Sequence, residues 1–562
     1  MRQRLAALTT ALFMAAGTLA AEEPPAAQAG GAGTLTIGIT QFPSTFHPAI
    51  DSMLAKSYMH GLTRRPITAY DPDWELTCLV CQELPTLENG MAEKIELEDG
   101  DEGIAVTYKL HPEATWGDGE PVTAEDVKFT WEVGKHPDTG VAAAEAYRRI
   151  LDIEVHDDHS FTAQIDRITF DYSAFGLPIL PAHLEREIFE DDPAQYRNRT
   201  LFDRDPANSG LHFGPYRMVD VTTGARATFE PNPTWYGEPP AFDRIVLRVV
   251  ENTAALEANL LSGAIDMVAG ELGMTVDQAV ALERRYGERF DFVYRPGLIY
   301  EHIDFNLDNP ILQDRKVRHA LAYASNRDVI SEALFDGRQP AAHSNISPLD
   351  AVHNDDIPRY PYDPEKAESL LEDAGWNDLR NGIRHDGEGN PLRLTFQTTA
   401  GDRTRELMQQ ALQSQWRDVG FDVRIRNEPP RVFFGQTMAQ RNFPGMALYA
   451  WLSAPESVPR STLHSDQIPS EENSWTGQNY PGYANPRMDD LLDGIETELD
   501  EERRQELWDE MQRLYAEDLP VLPLLWRAQA HILPKWLTGL QPTGNQFPST
   551  FWVEEWDRAP SG

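Results

Sequence analysis

Residues 106–132 read VTYKLHPEATWGDGEPVTAEDVKFTWE. Val106, Tyr108 and Leu110 alternate with Thr107 and Lys109, the period-two pattern of a half-buried strand. His111-Pro112 ends it, because proline has no N–H to give to a ladder. Trp116-Gly117-Asp118-Gly119 is a turn. Thr123 then stands where a helix N-cap belongs, with Glu125 and Asp126 in a first turn whose free N–H groups favour acids. Strand, turn and capped helix in so short a stretch predict a chain that mixes α and β elements.

The flanks repeat that punctuation. Leu35-Thr36-Ile37-Gly38-Ile39 alternates as a strand. Asp363-Pro364-Glu365-Lys366 opens a helix with an aspartate cap and proline in the first turn. Ala367, Leu370, Leu371 and Ala374 recur along it at helical spacing, and Gly375 ends it. Asn485-Pro486 opens another, and Leu507, Met511, Leu514 and Tyr515 mark a third that stops before Pro520. These apolar stripes face a core and imply no cofactor. No internal repeat interrupts the pattern.

The chain has 562 residues, with 49 Lys+Arg against 90 Asp+Glu. A formal charge of −41 excludes a nucleic-acid partner, since phosphate binding needs clustered Lys and Arg. It also excludes docking on anionic lipid. Only 8 of the basic residues are lysine. An acidic surface so poor in lysine resembles those of proteins that work in high salt, where self-repulsion is screened.

At the start of the chain, Arg2 and Arg4 precede an apolar stretch and then Thr18-Leu19-Ala20-Ala21. Residues 1–21 therefore read as a cleaved secretory signal, 22–33 as a flexible Pro/Ala/Gly leader, and the mature body as periplasmic. Loss of the two arginines takes the charge to −43, from 47 basic and 90 acidic residues. Cys78 and Cys81 are the only cysteines. In an oxidising compartment they are a small local disulfide or two inert thiols, because a second metal-ligand pair is missing.

A search for catalytic chemistry finds none. Gly-x-Gly-x-x-Gly, phosphate-loop, Gly-x-Ser-x-Gly and His-Glu-x-x-His patterns are absent. Asp386-Gly387-Glu388-Gly389-Asn390 lacks the ligand spacing and closing Glu of a calcium loop and reads as a turn. The expectation is a protein that is not an enzyme and holds no metal or cofactor.

The opening stretch resembles the signature of the extracytoplasmic family 5 solute-binding proteins, the peptide- and nickel-type receptors of ABC importers. Further blocks follow in that family's order. They include Gly214-Pro215-Tyr216-Arg217, Asn232-Pro233-Thr234-Trp235-Tyr236-Gly237, Leu261-Ser262-Gly263-Ala264-Ile265-Asp266 and Arg318-His319-Ala320-Leu321. Tyr362-Asp363-Pro364, Gly482-Tyr483-Ala484-Asn485-Pro486 and Leu519-Pro520-Val521-Leu522-Pro523 complete the series. The resemblance implies an α/β fold of the periplasmic-binding-protein type II kind, two lobes closing about a hinge, with an inserted third domain. By analogy, domain Ia takes 34–60, 211–296 and 527–558, domain Ib 61–210, and domain II 297–526.

In the peptide-binding members, a tryptophan closes a strand at the cleft and an aspartate three places on pairs with the ligand's amine. Here Trp451 matches that tryptophan, but Ala454 stands at the third place. Glu456 or Asp51 then replaces the acid, or the ligand lacks a free amine, since an unpaired buried ammonium costs several kcal/mol. By the same resemblance Asp51, Ser52 and Met53 line the first crossover, and Trp451 with Ser453 lines the cleft wall. Arg431 and Arg460 are candidates for a ligand carboxylate, which a guanidinium fork suits. Trp475, Gln478 and Asn479 lie in a Ser/Asn/Gln-rich stretch suited to a polar wall or a solvated loop. His302 reads as structural.

The expected partners are a peptide or peptide-like solute and the permease subunits of an importer, bound by a monomer. Nickel chelates, oligosaccharides or opines are alternative ligands, and a secreted hydrolase is the alternative outside the receptor fold.

Overall fold

The structure, a computed structural model, describes residues 33–98 and 100–559. The signal segment 1–21, and the leader apart from Gly33, lie outside the described residues. Among those described, ten strands form one mixed sheet. Across it in space run Asp422–Ile425, Arg393–Gln397, Met446–Leu452, Phe290–Phe305, Val521–Pro534, Met267–Val268, Thr34–Ile39, Arg244–Val249, Arg226–Pro231 and Tyr216–Thr222. Helices cover it, giving the two-lobed α/β architecture that the sequence implied.

Two of these strands are much longer than the rest. Phe290–Phe305 and Val521–Pro534 pair antiparallel from Phe290↔Pro534 to Asp304↔Val521. They cross from one half of the sheet to the other. Their register slips between Pro296 and Tyr300, around Pro296-Gly297, where proline cannot donate to the ladder. A Cβ on Gly297 would lie 2.4 Å from the Gly544 carbonyl, so the close approach of that loop requires glycine there.

A separate antiparallel sheet is built from Ala92–Glu96, Glu102–Lys109, Ile150–Asp157 and Ser160–Ile165, with a core of its own around Val106, Tyr108, Trp116 and Phe161. The opening stretch of sequence folds here. Its strand begins earlier than the alternation suggested, at Glu102, and its helix spans Ala124–Lys135 with Thr123 as cap. Asp126 ties the unit together. Its carboxylate accepts from the Thr123 N–H at 2.9 Å, the Ala182 N–H at 2.7 Å and the Trp116 indole N–H at 3.2 Å. Trp116 is fully buried and Asp126 nearly so. Gly117 is required because a Cβ would meet the Ser209 carbonyl at 2.6 Å.

The other expected elements form as Thr34–Ile39, Pro364–Asp373, Pro486–Thr497 and Glu501–Asp518. The Asp363 carboxylate caps its helix by accepting from the Lys366 N–H at 2.9 Å. Cys78 and Cys81 are joined in a disulfide. No helix among the described residues is long and apolar enough to cross a membrane.

Asp126→Ala removes the hydrogen bonds that one buried carboxylate accepts from the Thr123 N–H and hydroxyl, the Ala182 N–H and the Trp116 indole, and strands the donors. It is expected to lower the unfolding free energy by about 3 kcal/mol. A urea titration followed by tryptophan fluorescence measures this; an unchanged midpoint contradicts the role given to Asp126.

Candidate functional site

Strand alternation places Tyr300, His302 and Asp304 on one face of the long strand Phe290–Phe305. Its neighbour Met446–Leu452 sets Trp451 opposite Tyr300 and Tyr449 opposite His302. On the other side Trp526 lies opposite Tyr300, with ring centroids 5.3 Å apart. The sequence thus lays an aromatic surface across the hinge. The Tyr449 hydroxyl donates to Asp304 Oδ2 at 2.6 Å, and His302 Nε2 lies 3.3 Å from Asp304 Oδ1. A small cavity of about 20 Å³, with both polar and apolar walls, opens among these groups.

Trp451 is half-buried and packs edge-on against Tyr449, with centroids 6.4 Å apart. The chain then turns through Ala454 and a buried Pro455 to Glu456, whose φ of 54° puts it in the left-handed region. That turn is held by the Glu456 N–H donating to Asp350 Oδ2 at 3.0 Å. The Glu456 carboxylate in turn accepts from the Tyr70 hydroxyl at 3.3 Å. Tyr70 ends the strand Thr68–Tyr70, which pairs with Leu76–Cys78, so this hydrogen bond joins segments far apart in the chain. Burial pushes the Glu456 carboxyl up and the Asp350 carboxyl up to about 6. Asp171 adds negative charge to Glu456 and Tyr70, and Arg504 offsets it at Glu456. A second contact crosses nearby: the Phe170 N–H donates to the Glu496 carbonyl at 3.1 Å, and the Arg504 guanidinium lies 4.9 Å from the Phe170 ring centroid.

Asp51 is also in the left-handed region, at φ 64°. Its carboxylate accepts from the Ser44 hydroxyl at 2.6 Å and the Ser52 N–H at 2.7 Å, while Met53 Sδ lies 3.3 Å from the same hydroxyl. Beneath the loop the buried Lys56 ammonium donates to the carbonyls of His47 at 2.8 Å and Asp51 at 2.6 Å. Burial lowers that ammonium to about 8. Asp51 and Ser52 border a cavity of about 420 Å³ together with Arg149, Asp171, Tyr172 and Phe175. That volume lies in the range of small-molecule and short-peptide pockets.

The remaining candidates divide. Gln478 is exposed and borders the small cavity beside Trp451. The Ser453 N–H donates to the Leu298 carbonyl at 3.4 Å, beside the register slip. Arg431 is exposed and makes no ion pair among the described residues. Trp475 is half-buried in a loop, at φ 60°. Two candidates are spoken for within the chain. Arg460 pairs with Asp466 at 2.8 Å, with Asp493, and with Glu496 at 3.9 Å, so its charge is matched without a ligand. Asn479 is fully buried. Its amide donates to the carbonyls of His464 at 3.0 Å and Tyr483 at 2.8 Å and accepts from the Tyr483 N–H at 3.0 Å, so it holds the loop shut.

Sequence reasoning passed over Tyr70, Asp350, Asp304 and Tyr449. Tyr449 and Asp304 carry a faint signal, since polar residues stand at inward positions of apolar strands. Tyr70 and Asp350 carry none.

Residues 86–468 match the model of the bacterial extracellular solute-binding proteins, family 5. The oligopeptide-binding protein AppA of Bacillus subtilis (strain 168) is 23% identical over 519 residues, covering 90% of this chain and 88% of the relative. Among solved structures, the oligopeptide-binding protein of Thermus thermophilus complexed with a pentapeptide superposes with a TM-score of 0.68 at 27% identity. That match covers 94% of this chain and 96% of the other. NikZ of Campylobacter jejuni in complex with Ni(L-His) also has a TM-score of 0.68, at 22% identity, and covers 93% of this chain and 99% of its own.

The raised Asp350 carboxyl generates a pH dependence of definite sign. A carboxyl raised in the folded state from 3.8 to about 6 contributes stability that is complete below pH 3.8 and lost as pH rises through 6. Asp350→Asn is therefore expected to gain stability relative to the parent chain, by about 2–3 kcal/mol between pH 4 and pH 7. Calorimetry of both proteins across that range checks it, and a constant difference contradicts it.

Proposed function

The chain belongs to the bacterial extracellular solute-binding proteins of family 5, and from that premise we propose that it captures peptides or peptide-like solutes by hinge closure and hands them to the permease subunits of an ABC importer. Members of this family bind their solutes and are not enzymes. The observation that carries the ligand reading is the aromatic wall of Trp451, Tyr449 and Tyr300, which leads through the turn at Ala454-Pro455 to the Tyr70–Glu456 contact. An extended peptide offers that wall apolar side chains and offers the cleft edges its backbone groups.

In this reading the hinge is the slipped register at Pro296–Tyr300 and the opposed Arg527 region of the second long strand. Domain II is then 297–526, domain Ib is the insertion 61–210, and domain Ia is 34–60 with 211–296 and 527–558. The body works in the periplasm as a monomer, after loss of 1–21. Trp451, Ser453, Gln478, Asp51, Ser52 and Met53 are the proposed contacts, with Arg431 and Trp475 as outer ones. Arg460 and Asn479 leave the set, because each is saturated by its own chain. Glu456 acts at the mouth, where Tyr70 approaches it as the lobes meet.

A second reading has one observation behind it, the shared fold of a receptor whose structure contains Ni(L-His). Among the described residues no three His, Cys, Asp or Glu side chains gather to hold a bare ion. A metal would therefore arrive here already chelated.

The peptide reading predicts that a mixture of tri- to pentapeptides raises the thermal midpoint and is recovered intact. At one hundred times Kd the stabilisation is about 2.7 kcal/mol. Trp451→Ala is expected to abolish the shift and keep the circular dichroism of the parent. Hydrolysis of the peptides sinks the receptor reading, and an unaltered shift in the variant removes Trp451 from the site.

A further inference from the structure

The missing amine partner at Ala454 has an unexpected counterpart deeper in the hinge. Asp304 is 2% exposed, yet no Lys or Arg pairs with it among the described residues. Its partners are the Tyr449 hydroxyl, at 2.6 Å, and His302, at 3.3 Å. Two acids near it are paired with arginines. Glu301, one strand face away, pairs with Arg405 at 3.0 Å and Arg527 at 3.6 Å, and Asp518 pairs with Arg315 at 2.9 Å. A buried carboxylate lacking such a counter-ion is costly, by several kcal/mol.

The groups beside Asp304 describe what would neutralise it. His302 is itself 2% exposed, and with Nε2 turned to Asp304 its Nδ1 has no hydrogen-bond partner. A histidine whose Nε2–H donates to a carboxylate presents a lone pair at Nδ1, which needs a donor. The adjoining cavity of about 20 Å³ has room for one water-sized group. Its walls include the rings of Tyr300, Tyr449 and Trp451, whose faces attract cations. An enclosed space with a carboxylate, a free imidazole lone pair and aromatic walls, sized for one small group, is complementary to a donor-only cation.

We propose that the Asp304–His302–Tyr449 cavity is the subsite for a primary ammonium group of the bound solute, taking the part that no acid plays at Ala454. The ammonium donates to His302 Nδ1 and lies in the field of Asp304, while Trp451 covers it. Tyr449 positions the carboxylate. The inference rests on the peptide reading, and its substrate class is narrower: solutes carrying a free, unsubstituted amine.

The experiment compares a tri- to pentapeptide library with the same library N-acetylated, by native mass spectrometry of ligand-stripped protein. Free-amine members are expected to be retained and acetylated members to bind at least tenfold more weakly. Asp304→Asn is expected to erase that preference. If this variant does not fold, Tyr449→Phe, which leaves the charge but frees the carboxylate, is expected to narrow the preference. Equal retention of free and acetylated peptides overturns the subsite while leaving the peptide reading standing. So does an undiminished preference in Asp304→Asn, and the cavity then holds a water only. If neither library binds, the peptide reading fails and propylamine becomes the probe. Stabilisation of the parent chain but not of Asp304→Asn supports the subsite, and no difference overturns it.

Discussion

Two antiparallel strands, Phe290–Phe305 and Val521–Pro534, carry the mechanical and the chemical burden of this molecule together. Because they pair along nearly their whole length, the two halves of the ten-stranded sheet cannot separate. Their register shifts between Pro296 and Tyr300 and again between Glu301 and His302, and the longer break at Pro296–Tyr300 is where the proposed hinge rotation breaks the fewest ladder hydrogen bonds. The same strands deliver Tyr300, His302, Asp304 and Trp526 to one face. The proposed site thus stands on the pair of strands that is continuous across the sheet.

In the proposed function, closure is balanced by weak contacts. The Tyr70–Glu456 hydrogen bond and the Phe170 contacts with Glu496 and Arg504 join the lobes, and each is of a kind worth about 1 kcal/mol or little more. Such a seam holds lobes together without preventing release, and ligand contacts decide the population of the closed state. Acids crowd this seam. Asp171 and Asp350 each repel Glu456, and Arg504 offsets that charge.

Much of the fold was legible because it is written locally. The Trp116 turn, the Thr123 cap and Asp126 lie within a dozen residues, and the hydrogen bonds of that knot mostly close over short separations. Helices at Pro364, Pro486 and Glu501 announced themselves by caps and spacing. A candidate for the site was legible where a residue sits in a block of characteristic order, as Trp451 does. Glu456 finds Asp350 across 106 residues and Tyr70 across 386, and no local pattern encodes such pairs. Arg460 and Asn479 misled for a related reason: a guanidinium or an amide is equally suited to a ligand and to its own chain. The carboxylates and carbonyls that claimed them become neighbours only on folding. The surplus of acids could not single out Asp304 among 90 acidic residues. Its place beside a small cavity walled by the rings of Tyr300, Tyr449 and Trp451 does.

Small-angle X-ray scattering of the ligand-stripped protein, with and without a saturating tri- to pentapeptide mixture, tests most directly the claim that this is a hinged receptor. The account predicts a smaller radius of gyration and a shorter maximum dimension when peptide is present. Scattering curves that superpose, in samples where binding is verified independently, would contradict it.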